Sequence, residues 1–267
     1  MTDVERRVAL EAIAAEVRAC TNCRLHQTRT RAVPGEGDPE TEVIFVGEGP
    51  GFNEDKQGRP FVGRAGDLLV KLLATIGWRR EDVYITNVVK CRPPDNRDPF
   101  PDEIAACAPF LRRQLEVLDP AVVVTLGRFS MGTFMPGARI SQAHGTVRPV
   151  DPATGASSAT VFAMYHPAAA LRTPAIERES YADIAGVPMA LLDSRRRRQA
   201  AVQPVSATIP PESVVPGGVG LGAVEPGSVT VDVIGAETVE AREELDVALD
   251  APVLTSGDAA EPQLTLF

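Results

Sequence analysis

Four cysteines are the residues in this sequence whose type and spacing point most directly to chemistry. Cys20 and Cys23 form a C-x2-C pair, and Cys91 and Cys107 lie much further along the chain. Four thiolates from two loops and a helix suit either a tetrahedral zinc ion or a [4Fe-4S] cluster, and the spacing alone does not choose between them. Four ordinary buried cysteines are a third interpretation.

Three other segments carry residue types that suit a binding site. They are 47–51 (GEGPG) with its continuation 60–63 (PFVG), 87–94 (NVVKCRPP) and 166–172 (HPAAALR). The first and last follow directly on a short, strongly apolar run of the β type. Such segments emerge at the carboxyl end of a buried parallel sheet, where open α/β folds bind ligands. We therefore expect them to share one crevice.

The elements that must position these segments follow from the hydrophobic pattern. Four short apolar runs predict strands, and their spacing leaves room for helices between them. The prediction is an α/β fold: a three-layer α/β/α sandwich with a central four-stranded parallel sheet. The predicted strands are 42–46, 83–89, 121–126 and 160–165, and the predicted helices are 4–19, 65–76, 101–118, 128–134 and 176–197.

Composition divides the chain into two unequal parts. Residues 1–198 have the apolar periodicity of a folded domain. Residues 199–267 hold eleven acidic residues against the single basic Arg242, and their only aromatic residue is the terminal Phe267. A segment rich in Pro, Gly and Ala with so few large apolar residues cannot offset its ordering entropy, so we predict a disordered acidic tail.

The charge of the folded part differs from that of the whole chain. The net charge is −9, but residues 1–198 contain 26 of the 27 basic and only 25 of the 36 acidic residues. The acidic tail therefore hides a nearly neutral domain, which can present a basic face to phosphates. Candidate residues for that face are Lys90, Arg92, Arg97, Arg172 and the run 195–198.

The sequence also predicts a compartment. No apolar run approaches the ~20 residues that span a bilayer, and the N-terminal residues lack the apolar stretch of a secretory signal. We expect a cytoplasmic, monomeric protein without a membrane partner. In that reducing compartment four cysteines are more readily explained as ligands than as disulfides.

Taken together, the segments 47–63, 87–94 and 166–172 resemble the iron–sulfur uracil-DNA glycosylases, family 4 of that superfamily. The resemblance covers roughly residues 1–195. It implies a monofunctional enzyme that hydrolyses the N-glycosidic bond of deoxyuridine in DNA, releases uracil and leaves an abasic site for base-excision repair. It also implies that Cys20, Cys23, Cys91 and Cys107 hold a [4Fe-4S] cluster, which pins the N-terminal helix to the Cys91–Cys107 segment.

The chemistry of that reaction assigns expected roles within the crevice. The backbone of the loop around Gly47, Glu48 and Gly49 should contact the base, and Phe61 should stack on it. The Asn87 carbonyl can accept from uracil N3–H while its amide donates to O4, and cytosine reverses both demands. His166 can donate to uracil O2 as negative charge develops there.

The best-known branch of the superfamily has an aspartate where this sequence has Gly49, so another carboxylate must orient water or stabilise the cationic sugar. Glu54 is the prediction for the water, with Asn96 as a possible hydrogen-bonding partner, and Glu48 is expected to shape the pocket. Lys90, Arg92, Asn96 and Arg172 are expected DNA contacts, and Leu171 is expected to fill the gap that the flipped nucleotide leaves.

Three alternatives stay open. A relative that is covalently trapped on the abasic site would carry a His-containing insertion, and no His lies between Phe61 and Trp78. A non-catalytic uracil-DNA-binding protein of the same fold would not require Glu54, Asn87 and His166. An unrelated iron–sulfur or zinc nucleic-acid protein is the third.

The last five residues form a separate motif. Gln263, Leu264, Thr265, Leu266 and Phe267 resemble the pentapeptide by which bacterial repair proteins dock on the sliding clamp. An acidic tether of about 60 residues would present Leu266 and Phe267 to an apolar pocket. The other interpretation is a passive solubilising tail.

Overall fold

The computed structural model describes residues 1–202. The predicted acidic tail and the motif formed by Gln263, Leu264, Leu266 and Phe267 lie outside the described residues. The helices are α1 Asp3–Ala19, α2 Phe52–Gln57, α3 Arg64–Thr75, α4 Pro101–Leu118, α5 Arg128–Phe134, α6 Ile140–Ala143, α7 Pro167–Ala170, α8 Pro174–Ile184 and α9 Val187–Val202. The strands are β1 Glu36–Gly37, β2 Val43–Gly47, β3 Tyr84–Asn87, β4 Val122–Leu126, β5 Val147–Pro149 and β6 Thr160–Met164.

The central sheet confirms the predicted parallel arrangement. Its strand order is β1-β3-β2-β4-β6-β5, and the four inner strands run parallel. Two short antiparallel strands, which the sequence analysis did not predict, extend the two edges. Strands β2, β4 and β6 are buried along their whole length, as expected of a sheet covered on both faces.

Side chains of alternate residues in each strand enter two separate cores. In β2, Ile44 and Val46 pack into the core that includes residues of α1 and α4, whereas Val43 and Phe45 pack into the core that includes residues of α3 and α9. This alternation follows from the period of two along a strand. The result is the predicted three-layer α/β/α sandwich.

Local sequence explains where the principal helices begin. Thr2 caps α1: its hydroxyl accepts from the Glu5 N–H while the Glu5 carboxylate accepts from the Thr2 N–H. Pro101 occupies the first turn of α4, where its missing N–H costs nothing. Helix α1 delivers the chain to Cys20, and α4 carries Cys107 on its buried face.

The prediction of a single last helix over 176–197 is wrong. The chain forms α8 and α9 instead, with a turn at Ala185 and Gly186. A Cβ atom at Gly186 would lie 3.1 Å from the Phe162 ring, so the turn packs closely on β6. Helix α9 then continues to Val202. The boundary predicted at residue 198 stays a prediction.

The basic run 195–198 does not join a phosphate-binding face, so that expectation is wrong. Arg195 pairs with Glu42, and Arg198 pairs with Asp119 at 3.1 Å. Glu42 and Asp119 precede β2 and β4, at the amino end of the sheet. Arg196 pairs with Asp193, so three of the four arginines are paired with carboxylates, and the run lies at the edge opposite to the predicted crevice.

A search of residues 1–202 for membrane spans finds no helix with the length and hydropathy that a bilayer crossing requires.

Candidate active site

The segments singled out in the sequence meet at one cleft of about 620 Å³. It lies at the carboxyl edge of the sheet, where β2, β3, β4 and β6 end. Each of these strands contributes to the wall at or just after its last residues, through Glu48, Asn87, Gly127 and His166 respectively. The geometry therefore confirms that the segments share a crevice, while leaving their predicted roles to be tested.

Asn87 ends β3 beside the loop that follows β2. Its side chain is 1% exposed, and its Oδ1 has no hydrogen-bond partner among the described residues. A buried amide oxygen without a partner costs free energy of about 1–3 kcal/mol, which a ligand donor would recover. Gly47 makes this placement possible, because a Cβ atom there would lie 2.3 Å from Asn87 Oδ1 and 2.6 Å from the Phe61 ring.

Phe61 lines the cleft in an unusual backbone conformation. Its φ is +50°, in the left-handed region that non-glycine residues seldom adopt, and it is 6% exposed. The Arg80 guanidinium holds this conformation by donating to the carbonyls of Pro60 and Phe61, the latter at 2.9 Å. Glu36 in turn pairs with Arg80 at 2.9 Å. Strained backbone that its surroundings hold in place is typical of functional sites.

One ring nitrogen of His166 is hydrogen-bonded, and the other has no hydrogen-bond partner among the described residues. Its Nδ1 accepts a hydrogen bond from the Ala168 N–H at 3.0 Å, which caps the short helix α7. The neutral ring therefore carries its proton on Nε2. The pKa of His166 is lowered to about 4, chiefly by burial and also by the nearby Arg172, while Glu54 opposes the shift. The imidazole is thus neutral near pH 7, with an N–H available as a donor.

Two carboxylates line the cleft in different environments. Glu54 Oε1 accepts from the N–H groups of Val62 and Gly63 at 2.9 and 3.0 Å, so one oxygen is fixed by the backbone. The expected hydrogen bond between Asn96 and Glu54 is not formed. Asn96 Oδ1 instead accepts a hydrogen bond from Arg92 Nε at 2.7 Å. Glu54 therefore braces the 60–63 loop while it lines the cleft.

Glu48 has neighbours that the sequence analysis missed. The pKa of Glu48 is raised to about 6, chiefly by burial and also by the nearby Asp98, while Arg128 opposes the shift. Arg128 and Asp98 form an ion pair at 2.5 Å, and both line the cleft. A signal for Arg128 was available, because Gly127 and Arg128 directly follow the apolar run of β4. Asp98 lies in a loop with no comparable signal.

The side chains expected to contact DNA separate into two groups. Leu171 and Arg172 are exposed just after α7, and Arg172 lines the cleft. Arg92 and Asn96 lie in the segment after β3, and Asn96 also lines the cleft. Gly49 lies in the cleft wall, where a Cβ atom would lie 2.7 Å from Val89. These placements are compatible with a strand that crosses the cleft.

The prediction that Lys90 contacts DNA is wrong. Lys90 is 1% exposed, and its ammonium donates to Thr86 Oγ1, the Asn87 carbonyl and Gln114 Oε1 at 2.6–2.7 Å. A buried cation is tolerated when its hydrogen-bonding capacity is satisfied. Lys90 therefore closes the turn after Asn87 from inside the core instead of meeting solvent.

The four cysteines line one pocket between α1 and α4, although the two pairs are remote in sequence. Cys91 and Cys107 are buried, and Cys20 and Cys23 are partly exposed. N–H groups donate to three of the sulfurs: Arg29 to Cys91 Sγ at 2.9 Å, the Lys90 backbone to Cys107 Sγ at 3.3 Å and the Asn22 backbone to Cys20 Sγ at 3.5 Å. In residues 1–202, no three His, Cys, Asp or Glu side chains converge tightly enough to hold a single metal ion. We call these four residues the cysteine cluster.

The other two histidines lie outside the cleft and have partners elsewhere in the fold. His144 Nδ1 lies 3.0 Å from an oxygen of Asp183, and the ring packs on Tyr165 with centroids 4.6 Å apart. His26 Nδ1 lies 2.7 Å from the Cys23 carbonyl. Both have structural partners outside the group formed by Asn87, Phe61 and His166.

One protein-family model matches most of the α/β/α sandwich. The model of the uracil DNA glycosylase superfamily matches residues 34–185. That span includes every cleft residue described above, together with Cys91 and Cys107.

Individual relatives give a finer comparison. The type-4 uracil-DNA glycosylase of Archaeoglobus fulgidus is 47% identical over 180 residues, which cover 66% of this chain and 89% of that protein. The type-4 uracil-DNA glycosylase of Thermotoga maritima is 49% identical over 167 residues, covering 62% of this chain and 85% of that protein. A type-5 uracil-DNA glycosylase of Thermus thermophilus is 38% identical over only 116 residues, covering 38% of this chain and 52% of that protein.

Proposed function

The chain belongs to the uracil-DNA glycosylase superfamily and within it to the type-4 enzymes, and from that premise we propose how its cleft excises uracil from DNA. The reaction hydrolyses the N-glycosidic bond of deoxyuridine, releases uracil and leaves an abasic site. One observation carries the proposed roles: the buried Asn87 Oδ1 shares a cleft with the Phe61 ring and the His166 Nε2–H, and neither polar group has a partner in residues 1–202.

Asn87 selects the base. Uracil presents an N–H donor at N3 and a carbonyl acceptor at O4, which match the Oδ1 and Nδ2 of an amide. Cytosine presents an acceptor at N3 and an amino donor at N4, so it would leave two buried polar groups mismatched. The base must be rotated out of the helix to reach Asn87, since the glycosidic bond is inaccessible within the base stack.

His166 and Phe61 stabilise the departing base. The uracil ring stacks on Phe61, which Arg80 holds in place. As the glycosidic bond breaks, negative charge grows on uracil O2, and the neutral His166 donates to that oxygen from Nε2. The Nδ1 bond to Ala168 fixes the tautomer and the direction of the ring, so the donor is aligned before the base arrives.

Glu54 serves the sugar side of the reaction. Its Oε1 is fixed by two backbone N–H groups, while Oε2 accepts no hydrogen bond from the described residues and lies next to Gly51. A fixed carboxylate with one free oxygen can orient the attacking water and stabilise the cationic sugar. Glu48 shapes the part of the cleft wall near Asp98 and Arg128.

Residues on two sides of the cleft contact the DNA strand. Arg172 holds a phosphate next to the flipped nucleotide, and the exposed Leu171 occupies the gap left in the base stack. Arg92 and Asn96 contact the strand on the other side. Lys90 does not contact the DNA, because its side chain is buried.

The cysteine cluster fits a [4Fe-4S] centre. Four thiols, two from the segment just after α1, one from the segment after β3 and one from α4, line one pocket, and N–H donors already face three of the sulfurs. A centre held there would join the end of α1 to α4 and to the segment that follows Asn87. Its contribution is structural, since the chemistry of base release is supplied by the cleft.

The terminal motif is proposed as a separate recruitment device. We propose that Gln263, Leu264, Leu266 and Phe267 dock on a sliding clamp while the enzyme works as a cytoplasmic monomer. A binding titration on immobilised clamp should detect the full-length protein and miss a truncation without residues 263–267. Equal binding by both, or none by either, would contradict clamp docking.

The experiment that tests the function uses a labelled oligonucleotide with one uracil and a matched strand with cytosine at that position. Incubation followed by alkali should cut only the uracil strand, because only an abasic site is alkali-labile. A non-catalytic or trapped binder of the same fold would give a complex and no turnover. Cutting of the cytosine strand at a similar rate would contradict the role of Asn87.

A further inference from the structure

Beside the mouth of the cleft, Phe52, Lys56 and Arg92 form a surface group that we call the rim platform. Phe52 begins α2 and is 50% exposed. Lys56 Nζ lies 4.3 Å and Arg92 Cζ 5.2 Å from the centre of its ring. Proteins that bind single-stranded nucleic acids combine exposed aromatic rings, on which bases stack, with cations that contact the phosphates.

Direct contacts join the rim platform to the cleft. Arg92 Nε donates to Asn96 Oδ1 at 2.7 Å, and Asn96 lines the cleft. On the other side, Gly51 lines the cleft and immediately precedes Phe52. A strand that delivers one nucleotide into the cleft would therefore pass over the rim platform with a neighbouring nucleotide.

The positive charges of the rim platform are not paired with carboxylates in the described part of the chain. Neither Lys56 nor Arg92 forms a salt bridge with any described residue. The Lys56 ammonium also makes no hydrogen bond to residues in the described part of the chain, so it can turn towards a phosphate without breaking one.

Phe100 provides an internal contrast. It is 43% exposed, and the guanidinium groups of Arg24 and Arg97 lie 5.5 and 3.9 Å from its ring centre. Those two arginines are committed to carboxylates, since Arg24 pairs with Asp102 and Arg97 with Glu103, each at 2.7 Å. Among the described residues, the group at Phe100 therefore resembles the rim platform in residue types but differs from it in that its positive charges are paired with carboxylates.

We propose that the rim platform binds an unpaired nucleobase next to the flipped uracil in single-stranded DNA. The base stacks on Phe52, while Lys56 and Arg92 hold the flanking phosphates. In a duplex, both faces of the neighbouring base are already covered by its stack, so only a single strand gains this contact. The proposal rests on the proposed function, because it assumes that DNA enters the cleft.

The test compares Phe52→Ala with Phe100→Ala as its matched control. Each is titrated by fluorescence anisotropy with a short uracil-free oligonucleotide, once as a single strand and once as a duplex, so that no cleavage intervenes. Phe52→Ala should weaken single-strand binding about tenfold and duplex binding less than about twofold, as expected for one lost base stack. Phe100→Ala should bind both as the parent does, and Phe52→Trp should keep the single-strand affinity.

Salt dependence separates stacking from charge. Lys56→Ala should reduce the slope of log K against log salt on single strands by about 0.7, the value for one lost phosphate contact, whereas Phe52→Ala should leave the slope unchanged. Parent affinity in Phe52→Ala, equal losses on both DNA forms, or equal losses in Phe100→Ala would each overturn the proposal. Uracil excision by the parent is measured in parallel. An inactive parent would refute the proposed function, and an active parent with an unaltered Phe52→Ala would refute the rim platform alone.

Discussion

His166 performs two tasks with its two ring nitrogens, and substitution can separate them. Its Nδ1 caps α7 through the Ala168 N–H, and its Nε2–H is the proposed donor to uracil O2. His166→Ala removes both. Loss of a preorganised donor to a developing anion lowers kcat by about 10²–10³-fold. Loss of the cap costs about 1 kcal/mol of folding free energy, or roughly 2–4 °C in Tm for a domain of this size.

His166→Asn keeps an oxygen that can accept from the Ala168 N–H, but its shorter side chain does not reach uracil O2. It should therefore melt close to the parent while kcat falls by at least about 10²-fold. Single-turnover excision and thermal melting of the parent and both variants measure the two effects. Parent-like kcat in His166→Asn would refute the donor role, and equal melting of both variants would refute the cap.

The low pKa of His166 adds a test with a definite sign. The ordinary histidine pKa is 6.5 and the folded value is about 4, so the unfolded chain binds more protons between these values. The stability contribution is therefore present above pH 6.5 and lost as the pH falls towards 4. The parent should lose more stability than His166→Asn over that window, and the pH profile of kcat should show no inflection near 6.5.

Four further predictions follow from the same geometry. Asn87→Asp removes the donor to uracil O4 and should lower excision of uracil by about 10–100-fold, which steady-state rates on uracil strands will measure. Gly47→Ala should displace Asn87 and Phe61 and lower kcat by about 10²-fold with a smaller effect on DNA affinity, measured by excision and anisotropy together. Replacement of Cys107 by Ala should lower the iron content and visible absorbance of the purified protein along with its Tm; a fully stable, colourless and active product would contradict the proposed centre. The pKa of Glu48 is raised to about 6, so between pH 4.5 and 6 the folded parent retains a proton that the unfolded chain has lost. The free energy of unfolding of the parent should therefore fall as the pH rises through this window. Urea titrations should show no such fall for Glu48→Gln.

The parallel core of the fold could be predicted because burial on both faces leaves a signal in sequence. Strand β4, for example, consists of consecutive buried residues, and its predicted and observed bounds differ by one residue. The edge strands leave no such signal: β1 has two residues, and all three residues of β5 are exposed. The break between α8 and α9 did have a marker in Gly186, whose close approach to Phe162 depends on tertiary packing.

The site was predictable to the level of its strand ends. His166 follows an apolar run, so its place at the carboxyl edge of the sheet could be derived, whereas Asn87 lies inside the predicted strand 83–89 and ends the observed strand. The burial of Lys90 could not be derived, because its acceptors come from Thr86 and from Gln114 of α4, which is distant in sequence. The positive φ of Phe61 likewise depends on Arg80, which reaches the loop from another part of the chain.

The most direct test of the account is a crystal structure of the protein with free uracil. The account predicts uracil stacked on Phe61, with its N3–H on Asn87 Oδ1 and its O2 within hydrogen-bond distance of His166 Nε2. Uracil bound at another place in the cleft, or facing His166 through Nδ1 with the Ala168 bond broken, would contradict the proposed mechanism.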